Sequence, residues 1–157
     1  MRSLIIVRHA EAIPATVGMS DIDRPLSAKG ILQAQEMRHH LSPFHHIHVL
    51  CSNSRRTKET ATHLLNNNTA TIEYLPELYN ATANQLWMII EQYSAQSSIL
   101  VIAHNPGISQ LYCELTKQWL SFEPCSIGII EPFDADNDIT QENTKLLGTF
   151  VRPITNE

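Results

Sequence analysis

Leu4-Ile5-Ile6-Val7-Arg8-His9-Ala10-Glu11 decides how this chain reads. Four apolar residues in a row, three of them β-branched, make a strand buried on both faces, and such runs belong to parallel sheets. The run stops at a guanidinium and an imidazole, groups that strands seldom carry into a core. Outward from it, short apolar runs alternate with segments of helical period. That pattern predicts an α/β fold, with a central, mostly parallel sheet flanked by helices on both faces.

Ile31, Ala34, Met37 and Leu41 mark one face of a helix that Ser27 caps. Residues 48–51 read as a second strand, followed by a helix from Arg55 that stops at the turn-prone Asn66-Asn67-Asn68. A third strand is expected over Thr71–Leu75, and Thr82-Ala83-Asn84-Gln85 has the form of a capping box opening another helix. Residues 99–103 are the clearest buried strand; after His104, Asn105 suits an N-cap and Pro106 the first helical position. Two further strands, near 126–131 and 145–151, flank an acidic loop.

The 157 residues fit one domain, residues 1–157, with a sizeable core. A net charge of -5 disfavours non-specific binding to nucleic acid. Three cysteines without a C-x-x-C pair argue against a disulfide framework or a thiolate metal site, and fit a reducing compartment. The opening apolar run is too short for a signal peptide, and no stretch approaches the ~20 apolar residues that cross a bilayer. The expectation is a soluble, cytoplasmic monomer with no membrane contact.

Polar groups collect where strands end: Arg8 and His9, Arg56 beside Arg55, and His104. In open α/β sheets the carboxyl ends of strands form the binding crevice. Guanidiniums, imidazoles and a helix start near Pro106 suit an anion with several oxygens, and phosphate is the natural guest. Arginines bind the non-bridging oxygens, neutral imidazole attacks in line, and a second imidazole steadies the developing charge. His9 is the candidate nucleophile and His104 the candidate donor. Any one of the eight histidines, taken alone, reads as surface or satisfied core; the shared placement carries the functional reading.

Other constellations fall short. The run of His39, His40, His45, His46 and His48 lacks a spaced acidic or cysteine partner for metal. Asp134-Ala135-Asp136-Asn137-Asp138 is similar to a calcium loop, yet Ile139 and Lys145 stand where glycine and glutamate belong, so a hairpin loop is expected. No P-loop or G-x-G-x-x-G is present, and no cofactor or metal is expected.

The segment from Leu4 to Ala12 resembles the strand and R-H-G loop of the histidine phosphatase (phosphoglycerate mutase-like) superfamily. Asp23-Arg24-Pro25-Leu26-Ser27 with Gly30 is similar to its D-R-P-L-T…G segment. Ser52 to Ala61, with Arg56-Thr57 and Glu59-Thr60-Ala61, resembles its S-P-x-x-R-A-x-Q-T-A motif. Leu75-Pro76-Glu77-Leu78 and Val101-Ile102-Ala103-His104-Asn105-Pro106 complete a set spanning residues 4 to 106. Ala10 stands where the family has glycine, and Asn53 where it has proline.

The resemblance implies a phosphohistidine intermediate on His9, with Arg8, Arg56 and His104 forming the phosphate pocket. Glu77 lies where many members place a general acid. The length and the L-P-E-L segment are most similar to the short SixA-type branch, which removes phosphate from phosphohistidine on signalling or phosphotransfer proteins. Larger relatives insert a helical cap before the second histidine; here Glu77 and His104 leave room for only one helix and one strand. The alternatives are a small-molecule phosphomonoesterase and a non-catalytic module that docks phosphoproteins.

Overall fold

A computed structural model describes residues 2–65, 71–93, 97–131 and 147–156. The chain runs β1 (Leu4–Arg8), α1 (Ala28–Met37), β2 (Ile47–Ser52), α2 (Arg55–Leu65), β3 (Thr71–Leu75), α3 (Ala83–Tyr93), β4 (Ser98–Ala103), α4 (Gly107–Thr116), β5 (Ile127–Glu131) and β6 (Leu147–Val151). Among the described residues, short 3-10 turns at Asp21–Asp23, Arg38–Leu41 and Pro76–Leu78 lie between these elements, and another at Ile154–Asn156 follows β6. The six strands form one sheet in the order β3-β2-β4-β1-β5-β6. β1 to β4 run parallel, while β5 pairs antiparallel with both β1 and β6.

The pleat divides the apolar run of β1 between two cores. Leu4 and Ile6 pack with Leu50, Leu86, Ile90 and Leu111, under α3 and α4. Ile5 and Val7 pack with Ala34, Met37, Val49 and Leu64, under α1 and α2. Both faces of the sheet are covered, which is why its central strands read as unbroken apolar runs.

Local chemistry starts most helices where expected. Ser27 Oγ accepts from the Gly30 amide at 3.0 Å. Gln85 N–H donates to Thr82 Oγ1 and Thr82 N–H to Gln85 Oε1, a reciprocal capping box. The helix after His104 departs from expectation. It begins at Gly107 with Pro106 as cap residue, and the Asn105 side chain instead donates to the Phe122 carbonyl and accepts from Ser109 Oγ. The Asn105 side chain thus ties α4 to the segment at Phe122 instead of capping the helix.

The turn expected at Asn66–Asn68 and the hairpin loop expected at Asp134 to Asp138 lie outside the described residues. Among the described residues no helix is long and apolar enough to cross a membrane.

Candidate active site

Register places the site. Arg8 lies opposite Ala103 across β1 and β4, and β2 reaches the same edge with Ser52. The carboxyl ends of three neighbouring strands therefore deliver His9, His104 and the start of α2 to one crevice, where the connection from β1 to β2 passes over β4.

His9 is fixed by its backbone first. Its amide donates to the Ala103 carbonyl and its carbonyl accepts from Cys125, both at 3.1 Å. Ala10 is fully buried, outside the left-handed region, and donates to Thr60 Oγ1 at 3.0 Å. No glycine conformation is needed there, which accounts for alanine at this position. Thr60 Oγ1 in turn donates to the Arg56 carbonyl at 2.7 Å, locking the His9 loop to α2.

The ring of His9 has one tautomer consistent with its partners. Nδ1 lies 2.7 Å from the Ala10 carbonyl, which only accepts, so Nδ1 carries the proton. Nε2 then holds the free lone pair, and Arg56 Nε donates to it at 3.3 Å. Burial is the main cause that lowers the His9 pKa to about 3, and the charges of His104, Arg56 and Arg8 act in the same direction. The imidazole is neutral at physiological pH.

Arg56, 4% exposed, is the hub. Its Nη1 donates to the Asp21 carbonyl at 2.7 Å and its Nη2 to Asp21 Oδ2 at 3.1 Å. The same Nη2 lies 3.3 Å from His104 Nδ1. A guanidinium cannot accept, so Nδ1 of His104 is the acceptor and Nε2–H donates to Ser52 Oγ at 2.8 Å. Burial, and then the charge of Arg56, lowers the His104 pKa to about 4. The two imidazole centroids are 5.2 Å apart. Asn53 in place of proline does not displace Arg56: Ser54 accepts from the amides of Thr57 and Lys58 and seats the first turn of α2.

Arg8 donates from Nη1 to the Phe122 carbonyl at 2.7 Å, while its buried Nε has no protein partner. Its charge is felt at both His9 and His104. Arg55 points away and pairs with Glu59 at 2.8 Å on the exposed face of α2. Glu77 is exposed on the Pro76–Leu78 turn, where its charge acts on the Tyr93 hydroxyl. The carboxylate paired with Arg56 is that of Asp21, while the charge of Glu123 acts on Arg8.

Asp21, Tyr79 and the role of Ser52 are not legible in the sequence. Asp21 sits in a loop whose neck is closed by the Ala12–Leu26 bridge and by Arg24 Nε donating to the Ile13 carbonyl. Tyr79 follows the turn after β3, donates its hydroxyl to Asp21 Oδ2, and sets its ring edge-on to His104 with centroids 5.3 Å apart. Both come to the site from loops whose sequence has no period.

A sequence profile of the histidine phosphatase superfamily (branch 1) matches residues 4–85. The chain belongs to this superfamily. An uncharacterised chloroplast protein of Arabidopsis thaliana is 27% identical over 146 residues, covering 84% of this chain and 67% of that protein. Among solved structures, a protein provisionally named phosphohistidine phosphatase SixA from Nakamurella multipartitia superposes with a TM-score of 0.80. It shares 24% identity, over 98% of this chain and 96% of that one. Alpha-ribazole phosphatase from Shigella flexneri superposes at 0.70 with 18% identity, over 96% and 95% of the two chains. In this chain the described strands form a single sheet, and the crevice opens at the carboxyl ends of β1, β2 and β4.

Proposed function

We propose that this histidine phosphatase, a single domain over residues 1–157, removes phosphate from phosphohistidine on signalling or phosphotransfer proteins. The observation that carries it is the His9 ring, whose Nδ1 proton is committed to Ala10 and whose Nε2 lone pair faces Arg56 and His104.

Nε2 of His9 attacks phosphorus in line, the bond to the leaving atom breaks, and the phosphoryl group passes to His9. Arg8 Nε and the Arg56 guanidinium bind the non-bridging oxygens. A dianion between Arg56 and His104 raises the pKa of His104, which takes up a proton at Nδ1 and donates it as a hydrogen bond to the same oxygens. Water then attacks the phosphorus of phospho-His9 from the vacated side, releasing phosphate and restoring the neutral ring. No metal or cofactor enters these steps.

A protein-borne substrate is supported by the chain between Glu77 and His104, where the described residues form α3 and β4 and no helical cap over the crevice. The buried thiols Cys51, Cys113 and Cys125 form no disulfide, in keeping with a reducing, cytoplasmic setting. We propose a monomer. The likeness to an alpha-ribazole phosphatase supports the second reading, a small-molecule phosphomonoesterase. For an ester leaving group, Glu77 is the candidate general acid by its place in the family's motif, from an exposed position on the Pro76–Leu78 turn.

Turnover of a phosphohistidyl protein compared with a panel of phosphate esters tests the substrate. Preference for the protein by tenfold or more in kcat/KM is expected, and preference for one ester overturns that choice. Rapid quench with labelled substrate should trap an acid-labile phosphoenzyme that is absent in His9→Ala. Tight phosphate binding without any adduct would make the chain a phosphoprotein-binding module instead.

A further inference from the structure

A carboxylate beside an oxyanion pocket repels its own ligand. Asp21 is nevertheless held there by three side chains. Oδ2 accepts from Arg56 Nη2 and from the Tyr79 hydroxyl, and Oδ1 accepts from Arg24 Nη1 at 3.0 Å. The carboxylate also raises the pKa of the Tyr79 hydroxyl, while Tyr79, Arg24 and Arg56 hold Asp21 well below the ordinary carboxylate range. Asp21 is therefore no proton donor at neutral pH. With two donors on Oδ2 and one on Oδ1, Oδ1 keeps a lone pair.

Its position is the rim. The Asp21 side chain is 47% exposed, whereas the Arg56 side chain that it grips is 5% exposed. Attack by the lone pair of His9 Nε2 sends the leaving atom out toward solvent, and the half-exposed Asp21 carboxylate is open to that solvent while it holds the same Arg56 that reaches His9.

We propose that Asp21 selects the leaving group: its Oδ1 accepts a hydrogen bond from the N–H of a departing imidazole, which favours phosphohistidine over phosphate esters. This rests on the phosphohistidine reading above. A phosphorylated imidazole protonated on its other nitrogen carries that N–H and a positive charge. When the P–N bond breaks, its electron pair stays on the ring nitrogen and the ring leaves as neutral imidazole, still protonated where it faces Asp21. No general acid is required. An ester has no N–H to offer, and its oxygen gains negative charge next to the carboxylate.

The test compares wild type with Asp21→Asn on phosphoimidazole and on p-nitrophenyl phosphate, with tungstate affinity measured on both proteins. The expected result is a fall in the kcat/KM ratio of phosphoimidazole to ester by about tenfold to a hundredfold. Tungstate should bind the variant at least as tightly, because a neighbouring negative charge is gone. Equal loss on both substrates, or a loss of tungstate affinity, overturns the inference and reduces Asp21 to a clamp for Arg56. A wild-type enzyme that cleaves the ester but neither phosphoimidazole nor a phosphohistidyl peptide removes the underlying phosphohistidine reading itself.

Discussion

The imidazole of His9 gives its one proton to a carbonyl and keeps its lone pair for the crevice. Desolvation makes that arrangement robust to acid: with a pKa of about 3, the ring stays neutral far below the ordinary 6.5. Nitrogen-15 NMR of the imidazole rings at pH 5 should therefore show His9 as the neutral Nδ1–H tautomer, and a half-titrated ring near pH 6.5 would contradict this. Arg56 is equally specific, because one planar fork reaches His9, His104 and Asp21 at once. Lysine keeps the charge and loses the fork. Arg56→Lys should lower kcat/KM by about a hundredfold or more, for two charge-assisted hydrogen bonds lost, with an unchanged circular dichroism spectrum.

At the scale of elements, the site depends on how closely α4 approaches the segment before α3. A Cβ on Gly107 would stand 2.1 Å from the Ala81 carbonyl oxygen, so only glycine permits the contact. Ile108 N–H donates to the His104 carbonyl at 3.1 Å, which ties the helix start to the second imidazole. Gly107→Ala should push α4 away and destabilise the protein by about 1–3 kcal/mol in urea unfolding. Activity should fall with it, as His104 moves from Ser52. The Thr60 hydroxyl plays a similar part on the other side of the sheet, joining the His9 loop to α2.

For the whole molecule, the half-buried His9 and the buried His104 make stability depend on pH. Both His104, at about 4, and His9, at about 3, lie below the 6.5 of an unfolded chain. Between those values the unfolded state binds more protons, so stability is complete above about pH 6.5 and declines as the pH falls toward 4. Each ring contributes up to about 1.4 kcal/mol per pH unit across that window. The Tm should drop from pH 7 to pH 4.5, and His104→Gln should flatten the slope. Tungstate should raise the Tm more at pH 5.5 than at pH 7.5, since the bound anion favours protonated His104. A Tm independent of pH over this range would show that the rings are not buried in neutral form.

The sequence by itself determined the layered α/β sheet and the basic residues at its strand ends. Leu4–Val7 and residues 99–103 are apolar throughout because their strands are covered on both faces, and that property is visible one residue at a time. Arg8, His9, Arg56 and His104 stood out because each follows such a strand directly or opens the helix after it. Only the tertiary structure decided the partners: the tautomer of His9, the Ser52 contact on His104, and the arrival of Asp21 and Tyr79. The meeting of Asp21 and Tyr79 joins two loops across 58 positions of sequence, and an aperiodic loop leaves no pattern in the chain that encodes it. Glu77 and Asp21 show the difference: both are carboxylates near a strand-end crevice, and the closure of one loop decided which of them meets the arginine.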